Sequence, residues 1–102
     1  MKLIKTLALG AALAIASMPA AAGGLADAII ELERRFGRGV VDVAGHSLGA
    51  RGVVFALYEV ASRNPDVRLD EIALLAPDMD FDIFRRMLPR ISAIADNITI
   101  YV

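Results

Sequence analysis

The stretch that decides the fold is residues 39–62, GVVDVAGHSLGARGVVFALYEVAS. An apolar run of strand length, residues 40–44, stops at the pattern Gly-x-Ser-x-Gly, and apolar residues recur at helical spacing directly behind it. The run predicts a parallel strand that is buried on both faces. The pattern predicts a tight turn that lifts Ser47 above the end of this strand, with the small residues Gly45 and Gly49 on either side. The alternative is a glycine-rich turn that only packs a helix against a sheet.

The predicted turn places a hydroxyl where it could react. The following helix directs its first N–H groups, led by that of Leu48, at the same point as the Ser47 side chain, and a developing oxyanion would be stabilised there. Ser47 is therefore the candidate nucleophile, and the Leu48 N–H is the candidate oxyanion donor. His46 is the single histidine of the sequence. Because the turn directs it into different surroundings, we interpret it as a structural or pocket-lining residue and not as the base.

The rest of the chain alternates between helical and strand patterns. The sequence predicts a helix over residues 24–36 that Gly37 ends. The helix after the tight turn at Ser47, which we call the elbow, ends near Ser62. A second strand follows over residues 69–76, and a third over residues 97–102. Between them a helical pattern runs through Phe81, Phe84, Leu88, Ile91 and Ala95, and Pro89 should kink or divide it. This order predicts an α/β fold with a short parallel sheet, as a fragment of a three-layer sandwich.

Three carboxylates at alternate positions follow the second predicted strand, in the segment PDMDFD. Chemistry in open α/β sheets gathers at the carboxyl ends of the strands, so Asp78 should lie near Ser47. Asp80 is also typical of a helix N-cap, and Asp82 of a first helical turn. With one histidine and no cysteine, only a weak cation site at these carboxylates remains as an alternative, and we predict no metal and no cofactor. Asp42 is expected near a strand edge or beside a basic group.

The amino terminus has the layout of a secretory signal peptide. Lys2 and Lys5 precede an apolar stretch from Leu7 to Ala16, and Pro19 leads into small residues before a cut after Ala22. We therefore predict a signal peptide over residues 1–22 and a partial α/β domain over residues 23–102, secreted or periplasmic. The apolar stretch is short for a bilayer span, so a permanent anchor is the minor alternative.

Charge and composition narrow the range of partners. The net charge of −1 provides no long-range field that would attract nucleic acid or an anionic membrane. The absence of cysteine excludes disulfides. The Gly45, Gly49 and Gly52 spacing encloses a serine and lacks the lysine of a phosphate-binding loop.

With these residues placed, the chain resembles an α/β-hydrolase, in particular a bacterial branch of unknown function that is similar to lipases and esterases. The matching stretches are VVDVAGHSLGARGVVFAL, EIALLAPDMDFDIF and NITIYV. The resemblance implies Ser47 as nucleophile and the Leu48 N–H as half of the oxyanion hole. In most members of the family the acid follows the strand that Ile98 to Val102 would match, and the sequence does not extend past that strand. In some lipases the acid follows the preceding strand instead, and this arrangement would make Asp78 the acid. The resemblance also implies that the histidine base, the second oxyanion donor and the early strands are absent, as in a central fragment of such an enzyme.

Two functions remain open. The first is an exported serine hydrolase fragment that acts on small-molecule or lipid esters and has little activity alone, because a serine is a weak nucleophile without a base. The second is a non-catalytic exported α/β module that binds a partner or associates with itself through open sheet edges.

Overall fold

A computed structural model describes residues 12–16 and 22–102 of the chain. These residues form four strands and three helices: β1 (Ala12–Ala16), α1 (Ala22–Phe36), β2 (Val41–His46), α2 (Leu48–Arg63), β3 (Leu69–Leu75), α3 (Phe81–Ser92) and β4 (Ala95–Tyr101). Strands and helices alternate along the chain, which confirms the α/β class predicted from the sequence.

The described strands form one sheet in the order β1-β2-β3-β4, and each neighbouring pair is parallel. His46 lies opposite Leu75, and Leu75 lies opposite Tyr101. The carboxyl ends of β2, β3 and β4 therefore meet at one edge of the sheet. Ser47 and the segment that follows β3 come together at this edge, as the sequence predicted.

One apolar cluster joins the helices to the sheet. Alternate residues of the central strands belong to it, including Val43 of β2 and Ile72 of β3, together with Leu57 of α2 and Ile91 of α3. These side chains are at most 2% exposed. Since residues of one parity in a strand share one face, the helices cover the Val43 face. The elbow strand is thus fixed between its neighbours and beneath α2.

The bounds of the elements agree closely with the patterns in the sequence, with two corrections in the last third. The helix α3 runs through Pro89 to Ser92 without a division, and Ala95 begins β4 instead of continuing the helix. Pro89 is exposed near the end of α3, between the buried Met87 and Ile91. Water can therefore satisfy the carbonyl group that loses its partner at this proline, while Met87 and Ile91 hold the helix to the core.

The strand β1 falls within the range predicted as a signal peptide, so the expectation that no strand precedes the first helix is wrong. This strand pairs with β2, with Ala12 opposite Val41 and Ala16 opposite Gly45. The rest of that range, residues 1–11 and 17–21, lies outside the described residues, and cleavage after Ala22 stays a prediction. Among the residues that the structure describes, no helix is both long enough and apolar enough to cross a membrane.

Candidate functional site: a strained serine between β2 and α2

The backbone of Ser47 has an unusual conformation, with φ 56° and ψ −120°. These angles match the first central residue of a type II′ turn, about +60° and −120°, which glycine usually occupies. A serine held there is strained by about 1–3 kcal/mol, and such strain persists only where the surrounding structure enforces it. Here the Ser47 N–H donates to the Leu75 carbonyl oxygen at 2.9 Å, and its own carbonyl accepts the Arg51 N–H at 3.2 Å.

The close approach of α2 to β2 depends on the absence of a side chain at Gly45. A Cβ atom at this position would lie 2.6 Å from the Ala50 Cα and 2.9 Å from the Ala50 nitrogen. Both are backbone atoms of α2, so the helix itself would have to move. Gly45 is therefore a packing requirement of the turn, in agreement with the interpretation of the Gly-x-Ser-x-Gly pattern.

The Ser47 hydroxyl does not cap the helix α2, although it stands at the start of that helix. Serine at this position commonly accepts a hydrogen bond from a backbone N–H of the first turn, but Ser47 makes no such side-chain bond. Its side chain is half-buried. Leu48, the first residue of α2, is 41% exposed, and the first N–H groups of a helix have no partner within the helix. A hydroxyl and helix-terminal N–H donors thus lie together at an accessible edge.

A backbone hydrogen bond holds Asp78 beside Ser47. The Asp78 N–H donates to the Ser47 carbonyl oxygen at 3.3 Å, and the Asp78 side chain is exposed. Within the described part of the chain, the Asp78 carboxylate shows no hydrogen bond to Ser47 or His46. Asp80 instead caps α3, because its Oδ1 accepts the N–H groups of Asp82 at 2.8 Å and Ile83 at 3.1 Å. The N-cap interpretation of Asp80 is confirmed.

His46 is exposed at the end of β2. It makes no hydrogen bond to Ser47 among the described residues, so the structure does not bring the one imidazole of the chain to the serine as a base. No group of three or more histidine, aspartate or glutamate side chains in residues 12–16 and 22–102 is arranged to hold a metal ion.

The sequence analysis missed a second strained residue at this edge. Ala76 has φ 46°, in the left-handed region, and its N–H donates to the Tyr101 carbonyl oxygen. It directly follows the β3 residue that accepts the Ser47 N–H. No residue-type signal marks Ala76, because alanine is not a residue that usually indicates a positive φ.

A polar row crosses the sheet on the face opposite Val43. The Asp42 Oδ1 accepts the Glu71 N–H at 3.0 Å, and the Glu71 Oε2 accepts the Asn97 side-chain amide at 2.8 Å. Asp42 is 4% exposed and Glu71 1%. The buried Asp42 therefore lies inside β2 beside a backbone donor of β3. Glu71 went unnoticed because it stands at the start of the apolar run EIALLA.

Two cavities flank the segment that joins β3 to α3. One, of about 340 Å³, is apolar and lies against Phe84 and Ile100. The other, of about 230 Å³, lies against Arg51, Asp78 and Asp80. Met79 lines both cavities and forms part of the wall between them.

These features, a parallel α/β sheet with a strained serine at the strand-to-helix turn, define the α/β-hydrolase class. The family described as alpha/beta hydrolase of unknown function (DUF900) matches residues 9–102, and the chain belongs to this family. The resemblance inferred from the sequence is confirmed. Comparison with curated proteins and with solved structures finds no match.

Proposed function

We propose that this chain carries the nucleophile of a serine hydrolase that acts on carboxylic esters, and that the protein is exported. The observation that carries the proposal is the conformation of Ser47. A non-glycine residue at φ 56° and ψ −120°, with a hydroxyl that does not cap the helix behind it, is a costly arrangement for a turn that only connects two elements.

The proposed reaction assigns a role to each group. The Ser47 Oγ attacks the ester carbonyl carbon, a base takes the hydroxyl proton, and the Leu48 N–H stabilises the oxyanion. The carbon–oxygen bond to the alcohol then breaks, and the alcohol leaves with that proton. Water releases the acid from the acyl-enzyme in a second step of the same kind. Asp78 is the candidate acid that would orient the base.

Within residues 12–16 and 22–102 no base is hydrogen-bonded to the Ser47 hydroxyl, and the single histidine of the sequence is exposed at the end of β2. We therefore expect slow reaction with a fluorophosphonate probe. An added base should compensate, because general-base catalysis requires only a suitable proton acceptor within reach of the hydroxyl.

The experiment measures probe labelling of the full chain at increasing imidazole concentration. The labelling rate should rise with imidazole in the wild-type protein, and Ser47→Ala should abolish the rise. Ser92→Ala, at the exposed end of α3, is the matched control and should label like the wild type. Labelling that survives in Ser47→Ala, or no serine-dependent labelling at any imidazole concentration, would overturn the proposal.

The alternative function, a non-catalytic exported module, is favoured by one observation. In the described sheet β4 is an edge strand, and it carries the exposed Ile100. An open, apolar edge can pair with another chain. Light scattering after size-exclusion chromatography tests this function: a stable dimer without serine-dependent labelling would favour it, and a monomer that labels at Ser47 would exclude it.

A further inference from the structure

The strained Ala76 lies between two backbone groups that bind Ser47. The Leu75 carbonyl oxygen accepts the Ser47 N–H at 2.9 Å, and the Asp78 N–H donates to the Ser47 carbonyl oxygen at 3.3 Å. Residues 75–78 thus hold both backbone groups of a single residue. To do so the chain must bend directly after β3, and the bend falls at Ala76.

The conformation of Ala76 is enforced by the backbone and not by its side chain. Its φ of 46° lies in the left-handed region, where the Cβ of an L-residue comes too close to a carbonyl oxygen. The Ala76 side chain is exposed, so packing of its methyl group does not offset this cost. Its N–H instead donates to the Tyr101 carbonyl oxygen at 2.6 Å. Strain of this kind persists where the surrounding structure enforces it, and it clusters at functional sites.

Ser47 is strained as well, with φ 56° and ψ −120°, and it needs contacts that hold it there. The bond from the Arg51 N–H comes from α2, and the other two backbone bonds described above come from residues 75–78. We propose that Ala76 is a positioning residue for the nucleophile. Its left-handed backbone places residues 75–78 against Ser47 and so fixes the backbone from which the hydroxyl projects. This inference rests on the function proposed above.

Substitutions at Ala76 separate a role of the backbone from a role of the side chain. A β-branched residue is an outlier at positive φ, whereas glycine and asparagine adopt it more easily. Valine and asparagine have similar sizes, so they differ mainly in this preference. A backbone role predicts that Ala76→Gly and Ala76→Asn keep Ser47 in place, and that Ala76→Val and Ala76→Thr do not. A packing role predicts the opposite order.

Hydrogen exchange of the Ser47 amide, followed by NMR in the full chain, measures the bond to Leu75 without any reaction. Ala76→Val and Ala76→Thr should accelerate this exchange about tenfold, because residues that resist the left-handed region open the bond. Ala76→Gly and Ala76→Asn should stay within about threefold of the wild type. The Gly39 amide donates to the Arg68 carbonyl oxygen at 2.8 Å at the opposite end of the sheet. It is the internal control and should keep its rate.

Ala93→Val is the matched control variant, because Ala93 is an exposed alanine with an ordinary φ of −68° at the end of α3. It should leave the exchange of the Ser47 amide unchanged. Three results would overturn the proposal: an unchanged Ser47 amide in both β-branched variants of Ala76, equal acceleration of the Gly39 amide, or an equal effect of Ala93→Val. Faster exchange in Ala76→Gly and Ala76→Asn than in the β-branched variants would also overturn it.

Labelling of Ser47 by the fluorophosphonate probe with imidazole should follow the same order. Ala76→Val should label about tenfold more slowly, since small displacements of a reacting group lower rates steeply, and Ala76→Gly should label like the wild type. The two proposals fail in different ways. If the wild type labels and all Ala76 variants label equally, the positioning role is overturned and the hydrolase assignment stands. If Ser47 labels in no variant, the hydrolase assignment is wrong and the role of Ala76 in positioning a nucleophile falls with it, even where the exchange of the Ser47 amide responds.

Discussion

Replacing Gly45 by alanine is the sharpest perturbation of the elbow, because a single methyl group meets backbone atoms. The added Cβ would lie 2.6 Å from the Ala50 Cα and 2.9 Å from the Val53 Cγ2. The Val53 side chain could adjust, but the Ala50 Cα cannot move without shifting the first turn of α2. Overpacking of this kind costs about 1–3 kcal/mol. We expect Gly45→Ala to lower the free energy of unfolding by about 2 kcal/mol or more.

Gly52→Ala is the matched control, since it adds the same methyl group seven residues later. Gly52 lies inside α2, and a Cβ there would meet nothing within 4 Å. Alanine is favoured over glycine in a helix interior by about 0.5–1 kcal/mol. The same substitution should therefore destabilise the protein at one position and stabilise it at the other.

Urea denaturation followed by circular dichroism measures both effects, and thermal unfolding provides a second reading. For a domain of this size, about 1 kcal/mol corresponds to about 4–8 °C in Tm, so the two variants should differ by more than 10 °C. Equal stability of the two variants, or a Gly45→Ala protein as stable as the wild type, would refute the argument that β2 and α2 are in contact at this glycine.

Three further predictions concern the same edge and the amino terminus. Ser47→Gly should be more stable than Ser47→Ala by about 1 kcal/mol in urea denaturation. Glycine removes backbone strain of about 1–3 kcal/mol from the folded state, and its greater backbone entropy in the unfolded chain offsets about 0.5–1 kcal/mol of this gain. Equal stabilities of the two variants would contradict the strain at Ser47. Asp80→Ala should lose about 1 kcal/mol with the α3 cap, while Asp78→Ala, whose exposed side chain caps nothing, should change stability by less than about 0.5 kcal/mol; the reverse order would contradict the assignment. Expressed in a cell with a secretion pathway, the chain should have an intact mass that begins at Gly23, and a secreted protein that keeps residues 1–22 would exclude cleavage after Ala22.

The order and bounds of most elements could be predicted because each carries its own local pattern. The apolar residues of β2 lie between Gly39 and Gly45. The helix α1 ends at Phe36, directly before Gly37, whose φ of 105° and N–H bond to the Glu33 carbonyl oxygen match the expected glycine stop. The end of α3 could not be predicted this way. The periodicity continues to Ala95, and only tertiary pairing with Leu69 assigns that residue to β4.

The sequence predicted some residues of the candidate site completely, others only in position, and others not at all. Ser47 was found because its strain requires small neighbours, a demand that leaves a signature in the sequence. The proximity of Asp78 to Ser47 could be predicted because the carboxyl ends of parallel strands meet at one edge of the sheet. The direction of the Asp78 side chain could not, because no sequence pattern indicates it. The strained backbone of Ala76 could not be predicted from the sequence, because it depends on the contact of the β3–α3 segment with β4 and not on the residue type.

The segment Ala12–Ala16 shows why one pattern can satisfy two demands. The core of an export signal and a buried parallel strand are both typically short apolar runs, and ALAIA fits either description. Pairing with β2 distinguishes them, and pairing is not encoded locally. In the structure β1 makes β2 an interior strand, whereas cleavage after Ala22 would turn β2 into an edge strand and leave its outer N–H and C=O groups without β1. The intact-mass measurement therefore also decides whether the strand that presents Ser47 is held on both sides or on one.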